Sequence, residues 1–352
     1  MKNISKTLKS TSLFLIALLT LALLAACGQT AVTAGTKSQG AGDPKQAEAA
    51  KPKEKVVVNI GLQGKVSVLH YAREKKIFED AFAKVGAEVR WSEFQSGPPY
   101  FEAMAAGRLD LGSVGGTPVV TGQAADIEFK AVAVYSDGRS SNAIVLPKTS
   151  PIKDFKELKG KKLAIAKGSS SYYFLYKLLD MNGMKDTDLK IIQLQPDEAR
   201  PALETGAIDA WATSEQHVIA AEVQVGAKKL ITGEDIKLDA PGFIITRTKF
   251  AQEHPELLEL FLKTYEQTRI YYVAHLDELT DYFVGTTKLE KEIVKQILQR
   301  SAPLLSPITP EFAKAHQTQA DFLYETGGVK KKLDTSKVMD NAYIDKALKN
   351  LK

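Results

Sequence analysis

The sequence predicts an α/β protein built from two similar lobes with a ligand cleft between them. From residue 56 onward, short β-branched runs alternate with helical stretches, and this alternation is typical of parallel sheets flanked by helices. The same succession of strand, loop and helix occurs twice along the chain. The part after residue 55 has about 300 residues, which is more than one hydrophobic core usually holds.

Each repeat opens with a strand that leads through a glycine-containing loop into a helix. The apolar spacing after each loop indicates the helix, and Gly183 would end the second one. Strand, loop and helix are expected over 56–60, 61–67 and 68–78 in the first repeat and over 162–166, 167–170 and 171–182 in the second.

Each repeat continues with a helix end, a glycine and a short strand that carries an aspartate. These segments are 105–111 and 204–210, and the loops 112–118 and 211–217 follow them. Ligands bind at the carboxyl ends of strands in such sheets. The four strand-end loops of the two repeats therefore predict where the cleft lies.

Two further extended segments, 142–146 and 242–246, are predicted to be the strands that cross between the lobes. From residue 250 onward the sequence is helical, and we expect this tail to pack on the first lobe. The predicted divisions are 56–141 for the first part of lobe 1, 142–246 for lobe 2 with the crossing strands at both ends, and 247–352 for the second part of lobe 1 and the C-terminal helices.

Residues 1–26 are predicted to be an export signal. Three lysines precede an apolar run over 13–26, which ends in Leu24-Ala25-Ala26. This run is too short to cross the roughly 30 Å hydrocarbon layer as a helix. Residues 27–55 contain no Leu, Ile or aromatic residue, so we expect them to form a flexible tether.

Cys27, the only cysteine of the chain, follows the predicted signal. Leu24-Ala25-Ala26-Cys27 resembles the lipobox of bacterial lipoproteins, in which the thiol is acylated and becomes the new N-terminus. The alternative is a chance cysteine beside an ordinary cleavage site, but an exported thiol would then be left without a disulfide partner in the chain. We predict an extracytoplasmic protein that is anchored to the membrane through lipid on Cys27.

The net charge of +5 does not indicate a nucleic-acid-binding surface. Residues 1–26 carry +3 and residues 27–55 carry +2, which leaves 39 basic and 39 acidic residues in the body of the chain. The excess of positive charge thus belongs to the signal and the tether, where it suits a membrane-facing segment.

Motifs of known enzyme classes are missing from the sequence. It has no G-x-S-x-G motif, no Walker loop, and no spacing of His or Cys that is typical of a metal site. We therefore expect a binding protein without metal or cofactor. The histidines are scattered, and we interpret each as a surface or capping residue: His70, His217, His254, His275 and His316.

Two predicted helix starts at the cleft could bind an oxyanion. A helix N-terminus presents unpaired N–H groups and a partial positive charge, and hydroxyl side chains stand beside both starts. Binding would then need no arginine. The alternative is that these residues are ordinary helix caps. The residues concerned are Gly115, Gly116 and Thr117 at one start and Ser169, Ser170 and Ser171 at the other.

Aromatic residues near the same loops could form an apolar wall, although each could equally belong to a core. They are Tyr172, Trp211, Phe243 and Trp91, for which a core position is favoured. The carboxylate of Glu215 would suit a ligand that bears both signs of charge, and its alternative role is that of an exposed, solvated acid.

Five segments of the chain, taken in their order and spacing, match a known pattern. They are 59–63, 93–99, 110–118, 158–170 and 206–211. With them the chain resembles the solute-binding lipoproteins of ABC importers for aliphatic sulfonates, taurine and nitrate, from residue 58 to about residue 261. The resemblance implies a type II periplasmic-binding-protein fold with two α/β lobes.

The resemblance also implies which residues hold the ligand. The oxyanion would be held by the loop at 115–117 and the helix start at 169–170, with Gln63 reaching from the first loop. Many members carry Trp-Asp-Pro where this chain has Ser214-Glu215-Gln216, so the tail of the ligand stays open. The full set of expected ligand-binding residues is Gln63, Gly64, Gly97, Pro98, Gly115, Gly116, Thr117, Ser169, Ser170, Ser171, Tyr172, Trp211, Glu215 and Phe243.

The resulting expectation is a monomeric receptor that delivers a small organic anion, an aliphatic sulfonate or taurine, to an ABC permease and its ATPase. Alternatives within the same fold are binding of nitrate, binding of a neutral pyrimidine or other heterocycle, and a role as an extracellular sensor subunit. An enzyme like those that make the thiamine pyrimidine would need a cysteine-rich motif and a reactive histidine, which we do not find here.

Overall fold

The first of two five-stranded sheets has three neighbouring parallel strands followed by a strand of opposite direction. The computed structural model describes residues 55–139, 142–301, 303–349 and 351. The strand order is β2-β1-β3-β10-β4, in which β10 is antiparallel to both of its neighbours. The strands are β1 (Val56–Gln63), β2 (Ala87–Phe94), β3 (Leu111–Gly115), β4 (Phe129–Ser136) and β10 (Gly242–Arg247).

The second sheet repeats this design. Its order is β7-β6-β8-β5-β9, and here β5 is the strand that is antiparallel to both neighbours. The predicted repetition of the chain is therefore present in the topology of the two sheets. The strands are β5 (Asn142–Leu146), β6 (Lys162–Ile165), β7 (Lys190–Gln193), β8 (Ala210–Ser214) and β9 (Lys228–Thr232).

Helices cover the sheets, and several of them begin directly after a strand. They are α1 (Val68–Glu74), α2 (Ile77–Ala83), α3 (Gly97–Ala105), α4 (Gly116–Ala124), α5 (Ser170–Met181), α6 (Pro196–Glu204), α7 (Glu215–Val225), α8 (Thr248–Glu253), α9 (Pro255–Ala274), α10 (Leu276–Thr287), α11 (Lys291–Arg300), α12 (Pro310–Glu325) and α13 (Ala342–Lys349).

Helix α5 shows how the sequence sets these elements. It follows β6, buries Phe174, Leu175 and Leu178 against the second sheet, and ends at Met181 with Asn182 as its C-cap. Gly183 then adopts a left-handed conformation with φ +64°, which glycine tolerates without a steric cost. The predicted glycine stop of this helix is confirmed.

The core of the first lobe forms between β1 and the helices α1, α2 and α9. Val58 and Ile60 are fully buried there, and the ring of Phe78 lies 5.1 Å from the ring of Phe261. Phe261 belongs to the tail, so part of the tail does pack on the first lobe. We call the first sheet with its covering helices lobe 1 and the second sheet with its covering helices lobe 2.

The second predicted crossing segment lies in the first sheet. We expected residues 242–246 to end lobe 2, but β10 pairs with β3 and β4 of lobe 1. Its residues are buried on both sides, because a central strand of a covered sheet has no solvent face. The segment 142–146 pairs with β8 and β9 of lobe 2.

The tail contacts both lobes. Ala320 and Leu323 of α12 belong to the core of lobe 2, and Phe322 packs edge-on against Tyr173 of α5. Helix α11 packs against α7, which begins after β8 of lobe 2. The expectation that the tail packs on lobe 1 describes only part of it, because its apolar surface is shared between two cores.

The predicted signal peptide over 1–26, Cys27 and residues 28–54 of the predicted tether lie outside the described residues. Among the helices that the structure does describe, none is long and apolar enough to cross a membrane.

Candidate functional site

A cavity of about 470 Å³ lies between the lobes, at the ends of strands from both sheets. Lobe 1 contributes the loop after β1 and the junction of β3 with α4. Lobe 2 contributes the start of α5 and the junction of β8 with α7. The residues that these junctions place in the wall are Gln63, Gly115, Gly116, Thr117, Ser170 and Ser214.

Three helices begin at this cavity without a side-chain cap. Gly115, Ser169 and Ser214 are the cap residues of α4, α5 and α7, and no side chain at these positions bonds to the first turn. The leading N–H groups of these helices are thus available to a ligand, and each helix end carries a partial positive charge. This arrangement favours an anion with several acceptor oxygens.

Two glycines allow the lobes to approach each other at the cavity. A Cβ atom on Gly115 would lie 2.1 Å from Oγ of Ser170, and a Cβ atom on Gly64 would lie 1.6 Å from Oε1 of Gln216. Gly64 also has φ +76°, which disfavours any other residue. These positions need glycine because side chains of lobe 2 fill the space beside them.

Thr117 is held by groups from two directions. Its Oγ1 accepts a hydrogen bond from Nε2 of Gln319 on α12 at 3.0 Å. The same hydroxyl lies 3.4 Å from the carbonyl oxygen of Ser170 in lobe 2. His316 Nδ1 lies 3.3 Å from Oε1 of Gln319, which completes a buried chain behind the cavity.

Two arginines also line the cavity, although we expected anion binding from helix starts alone. Arg139 follows β4 and pairs with Asp239 at 3.3 Å, and Arg300 is the last residue of α11. The carboxylates of Asp137 and Glu234 line the same cavity, so it offers both signs of charge. Arg139 could have been predicted to line the cavity, because it lies just before the first strand of the second sheet. Arg300 could not, because its place depends on the tertiary packing of the tail.

Apolar side chains complete the wall. Leu62, Val66 and Leu69 come from β1, the loop after it and the start of α1, and Ile297 comes from α11. A cavity of this size with an apolar wall and a few polar groups is typical of sites for small organic molecules.

A second, much smaller cavity of about 30 Å³ adjoins the first, and the two share Gln63, Ser170 and Ser214. It has room for about one water molecule. Beside it the lobes are joined by two hydrogen bonds: Ser96 Oγ donates to Gln195 Oε1 at 2.9 Å, and the backbone N of Asp197 donates to Gln95 Oε1 at 3.3 Å.

The structure divides the predicted ligand-binding residues into groups. Gly64 lies against Gln216, and Pro98 lies against Gly168, without lining the larger cavity. Glu215 is the first residue of α7, and its side chain lies outside the described part of the structure. Residues of the larger cavity are Gln63, Gly115, Gly116, Thr117 and Ser170, and residues of the smaller one include Gln63, Ser170, Gly97, Ser169, Ser171 and Trp211.

Tyr172 and Phe243 lie in cores and do not line either cavity, contrary to our expectation. Tyr172 turns along α5 so that its hydroxyl bonds to that of Tyr176 at 3.0 Å, one helical turn away. Phe243 is one residue past Gly242, which does line the cavity, and alternation along the strand turns its ring toward His316. Trp91, for which we favoured a core position, packs edge-on against Phe78.

His70 and His316 are buried and His217 is half-buried, so our interpretation of these histidines as surface or simple capping residues is wrong. Burial lowers the pKa of His70, His217 and His316 to about 4, which keeps all three neutral at pH 7. They are far apart in the chain, and no group of three or more His, Cys, Asp or Glu side chains that could hold a metal ion occurs among the described residues.

The two sheets and the polar cavity between them define the class of two-lobed, periplasmic-binding-protein-like solute receptors. The chain belongs to the NMT1/THI5-like family, whose model matches residues 69–278. The predicted fold class and the predicted resemblance to sulfonate-binding proteins are confirmed by the relatives described next.

Three relatives illustrate the similarity. A protein of Bacillus subtilis that is named for aliphatic sulfonates binding is 42% identical over 326 residues, covering 93% of each chain. A protein of the same description from Escherichia coli is 30% identical over 79% of this chain and 86% of its own. The alkanesulfonate-binding protein SsuA of Xanthomonas axonopodis pv. citri, solved with bound MOPS, aligns with a TM-score of 0.76 and 26% identity, over 82% of this chain and 99% of that one.

Proposed function

We propose that the protein is the extracytoplasmic solute-binding component of an ABC importer and that its ligand is an aliphatic sulfonate. The observation that carries this proposal is the cavity of about 470 Å³, where three uncapped helix starts and two arginines meet an apolar wall. The relatives named as aliphatic sulfonate-binding proteins support the same ligand class and a binding role rather than catalysis.

A sulfonate suits this site for physical reasons. Its charge is spread over three oxygens, each of which accepts hydrogen bonds, and several N–H and hydroxyl donors converge on the cavity. An alkyl tail would lie against Leu62, Val66, Leu69 and Ile297. The carboxylates of Asp137 and Glu234 make a zwitterionic sulfonate such as taurine a second candidate, because its ammonium group needs an acceptor.

A neutral heterocycle has less support. Stacking on such a ring would need aromatic faces on both sides of it, yet Tyr172 and Phe243 lie in cores, and among the described residues Tyr135 is the one aromatic side chain that lines the larger cavity. A nitrate ion would use the donors but leave the apolar wall without a partner. The site therefore favours an anion that carries a hydrocarbon tail.

The cross-lobe contacts support capture by closure. Ser96 of lobe 1 bonds to Gln195 of lobe 2, and Gln95 accepts a hydrogen bond from the backbone N of Asp197. The hydroxyl of Thr117 lies 3.4 Å from the carbonyl oxygen of Ser170. A ligand that contacts both lobes stabilises this closed arrangement over an open one. The closed form would then dock on the permease, whose ATPase drives import, while lipid on Cys27 keeps the monomeric receptor at the membrane.

Isothermal titration of the purified protein tests the proposal. We expect heat of binding with short 1-alkanesulfonates and with taurine, and affinity should rise with chain length up to about four carbons as the apolar wall is filled, by roughly 0.8 kcal/mol per methylene group. Arg300→Gln should weaken alkanesulfonate binding by about tenfold or more because it removes a cation from the wall.

Arg90→Gln is the matched control, because Arg90 pairs with Glu88 on the exposed edge of lobe 1, outside the cavity. Its affinity should equal that of the unchanged protein. Absence of heat with every alkanesulfonate, with taurine and with nitrate would reject an anion site.

A further inference from the structure

A chain of three buried side chains connects the C-terminal region to the cavity. His316 and Gln319 lie on α12, and Thr117 lies in the first turn of α4. Both α12 residues are 0% exposed and Thr117 is 1% exposed. His316 Nδ1 is 3.3 Å from Gln319 Oε1, and Gln319 Nε2 is 3.0 Å from Thr117 Oγ1.

Gln319 packs closely against the first turn of α4. Gly116 leaves just enough room for it, since a Cβ atom there would lie 2.4 Å from Gln319 Oε1 and 2.8 Å from the carbonyl oxygen of Pro241. His316 is held in turn by the ring of Phe243, at a centroid distance of 4.7 Å. The chain of hydrogen bonds is therefore preorganised before any ligand enters.

The direction of these hydrogen bonds follows from His316. The ring is neutral at pH 7, so one of its two nitrogens carries the proton. Nε2 has no partner among the described residues. A buried N–H without an acceptor is rarer in proteins than a buried acceptor without a donor, which places the proton on Nδ1.

A proton on Nδ1 sets every later bond in the chain. Nδ1 donates to Oε1 of Gln319, the amide group of Gln319 then donates to Oγ1 of Thr117, and the hydroxyl proton of Thr117 must point elsewhere. The acceptor in reach is the carbonyl oxygen of Ser170 at 3.4 Å, which is at the limit of a hydrogen bond. That proton is consequently available to an acceptor in the cavity.

We propose that Gln319 and His316 are positioning residues, which fix the hydroxyl of Thr117 as a hydrogen-bond donor to an oxygen of the bound anion. The inference rests on the proposed function for the identity of the anion. It assigns a role in ligand specificity to α12. Thr117 would offer a donor, so a ligand oxygen would be accepted at this point and a ligand N–H or O–H group would be disfavoured. If these hydrogen bonds ran in the opposite direction, the oxygen of Thr117 would be an acceptor and would favour a ligand group that donates.

A double-mutant cycle tests the coupling. The variants are Gln319→Met, which keeps the size of the side chain, Thr117→Val, and the pair together, and the probe is 1-butanesulfonate in isothermal titration. Each single variant should bind about tenfold more weakly, as expected for the loss of one oriented hydrogen bond to an anion. The pair should bind no more weakly than Thr117→Val alone, because Gln319 acts through Thr117.

Gln317→Met is the matched control. Gln317 lies on the same helix and makes its own hydrogen bonds to Thr335 and Leu333, but it does not line the cavity. Its affinity for 1-butanesulfonate should match that of the unchanged protein. Losses that simply add in the double variant would overturn the proposal, since Gln319 would then act independently of Thr117.

A second measurement needs no ligand. Nitrogen-15 NMR of the imidazole of His316 in the unliganded protein should show the proton on Nδ1 in the unchanged protein, and Gln319→Met should shift this signal. A proton on Nε2 would reverse the chain and overturn the inference. If the unchanged protein bound no 1-butanesulfonate, the proposed function would fall, and the NMR result alone would decide the direction of the Thr117 hydroxyl.

Discussion

Asp110 of lobe 1 and Asp209 of lobe 2 occupy the same position in two sheets of the same design. Each lies just before the third parallel strand and accepts a hydrogen bond from a backbone N of the neighbouring strand: Asn59 N at 3.0 Å and Lys162 N at 2.8 Å. Each also donates its own backbone N to the carbonyl oxygen of that neighbour at 2.9 Å. The repeated sequence pattern thus produces the same local structure twice.

The surroundings of the two carboxylates differ. The side chain of Asp110 is 2% exposed and binds Arg247 through Nε at 3.1 Å and Nη2 at 2.5 Å. Asp209 is half-buried, and its carboxylate has no ion pair with any residue in the described part of the chain. In lobe 2 the carboxylate of Asp209 only accepts a hydrogen bond from the neighbouring strand. In lobe 1 the equivalent carboxylate of Asp110 is also a buried member of an ion pair.

The difference arises from the strands that run against the others. The first sheet receives β10, whose last residue is Arg247, whereas the corresponding strand β5 of the second sheet ends at Leu146. The guanidinium group therefore arrives with the strand that brings the chain back into lobe 1. The comparison shows that one motif can make the same backbone hydrogen bonds in two places and yet contribute differently to stability.

Removing the carboxylate of Asp110 should give the largest effect, and removing that of Asp209 a smaller one. Asp110→Ala leaves Arg247 and a backbone N of β1 without their partner in a buried place, so we expect the free energy of unfolding to fall by about 3 kcal/mol or more. Asp209→Ala removes one hydrogen bond near solvent and should cost about 1 kcal/mol. Urea unfolding at pH 7 measures both values.

Arg247→Leu combined with Asp110→Ala provides the control for the ion pair. If the cost of Asp110→Ala comes from a stranded cation, the second substitution should recover part of it. Equal costs for Asp110→Ala and Asp209→Ala would show that the buried ion pair adds nothing to the shared backbone contacts.

The local patterns explain how much of this molecule could be predicted. The glycine after each helix and the aspartate before each strand are short-range signals, and they predicted the elements around Asp110 and Asp209. The carboxyl ends of the strands then predicted five of the residues that line the larger cavity. What they could not predict is which sheet a single extended segment joins, because 242–246 fits either lobe by its pattern alone.

The tail was the main gap in the prediction. The sequence predicted a helical tail, and α9 and α12 begin at Pro255 and Pro310 within it, but amphipathic spacing does not identify the surface against which a helix packs. The contacts of Arg300 and Gln319 with the cavity depend on that choice. Aromatic residues were misjudged for a related reason, since Tyr172 and Phe243 lie within one or two residues of the cavity wall but face a core.

The histidines offer a case in which the lobes should behave equally. His70 and His217 are each the third residue of a helix that follows a strand of the sheet, and burial lowers the pKa of both to about 4. The unfolded chain takes up a proton near pH 6.5 and the folded protein does so only near pH 4. Stability from each group is therefore complete above pH 6.5 and falls as the pH drops toward 4, by about 2 kcal/mol at pH 5.

Replacing either histidine should remove the part of this pH-dependent loss of stability that the histidine causes. His70→Gln and His217→Gln should each reduce the fall in unfolding free energy between pH 8 and pH 5 by about 2 kcal/mol, as measured by urea unfolding at both pH values. A reduction in one variant only would show that the lobes differ here as well. His275→Gln is the control, because His275 is exposed, and it should leave the fall unchanged.

The smallest expected effect concerns the side chains of Asn59 and Lys162, whose backbone N atoms bond to the two aspartates. Asn59 donates its side-chain Nδ2 to Asp110 Oδ2 at 2.8 Å, in addition to its backbone bond, whereas the side chain of Lys162 makes only a long contact of 3.4 Å to the carbonyl oxygen of Ala207. Asn59→Ala should therefore lower the free energy of unfolding by about 1 kcal/mol, because the lost bond ends on a buried carboxylate. Lys162→Ala should change it by less than about 0.5 kcal/mol, as expected at an exposed position. A loss of equal size at both positions would mean that the carboxylates are held by backbone bonds alone, and the burial of Asp110 would then have no separate consequence for its neighbour in β1.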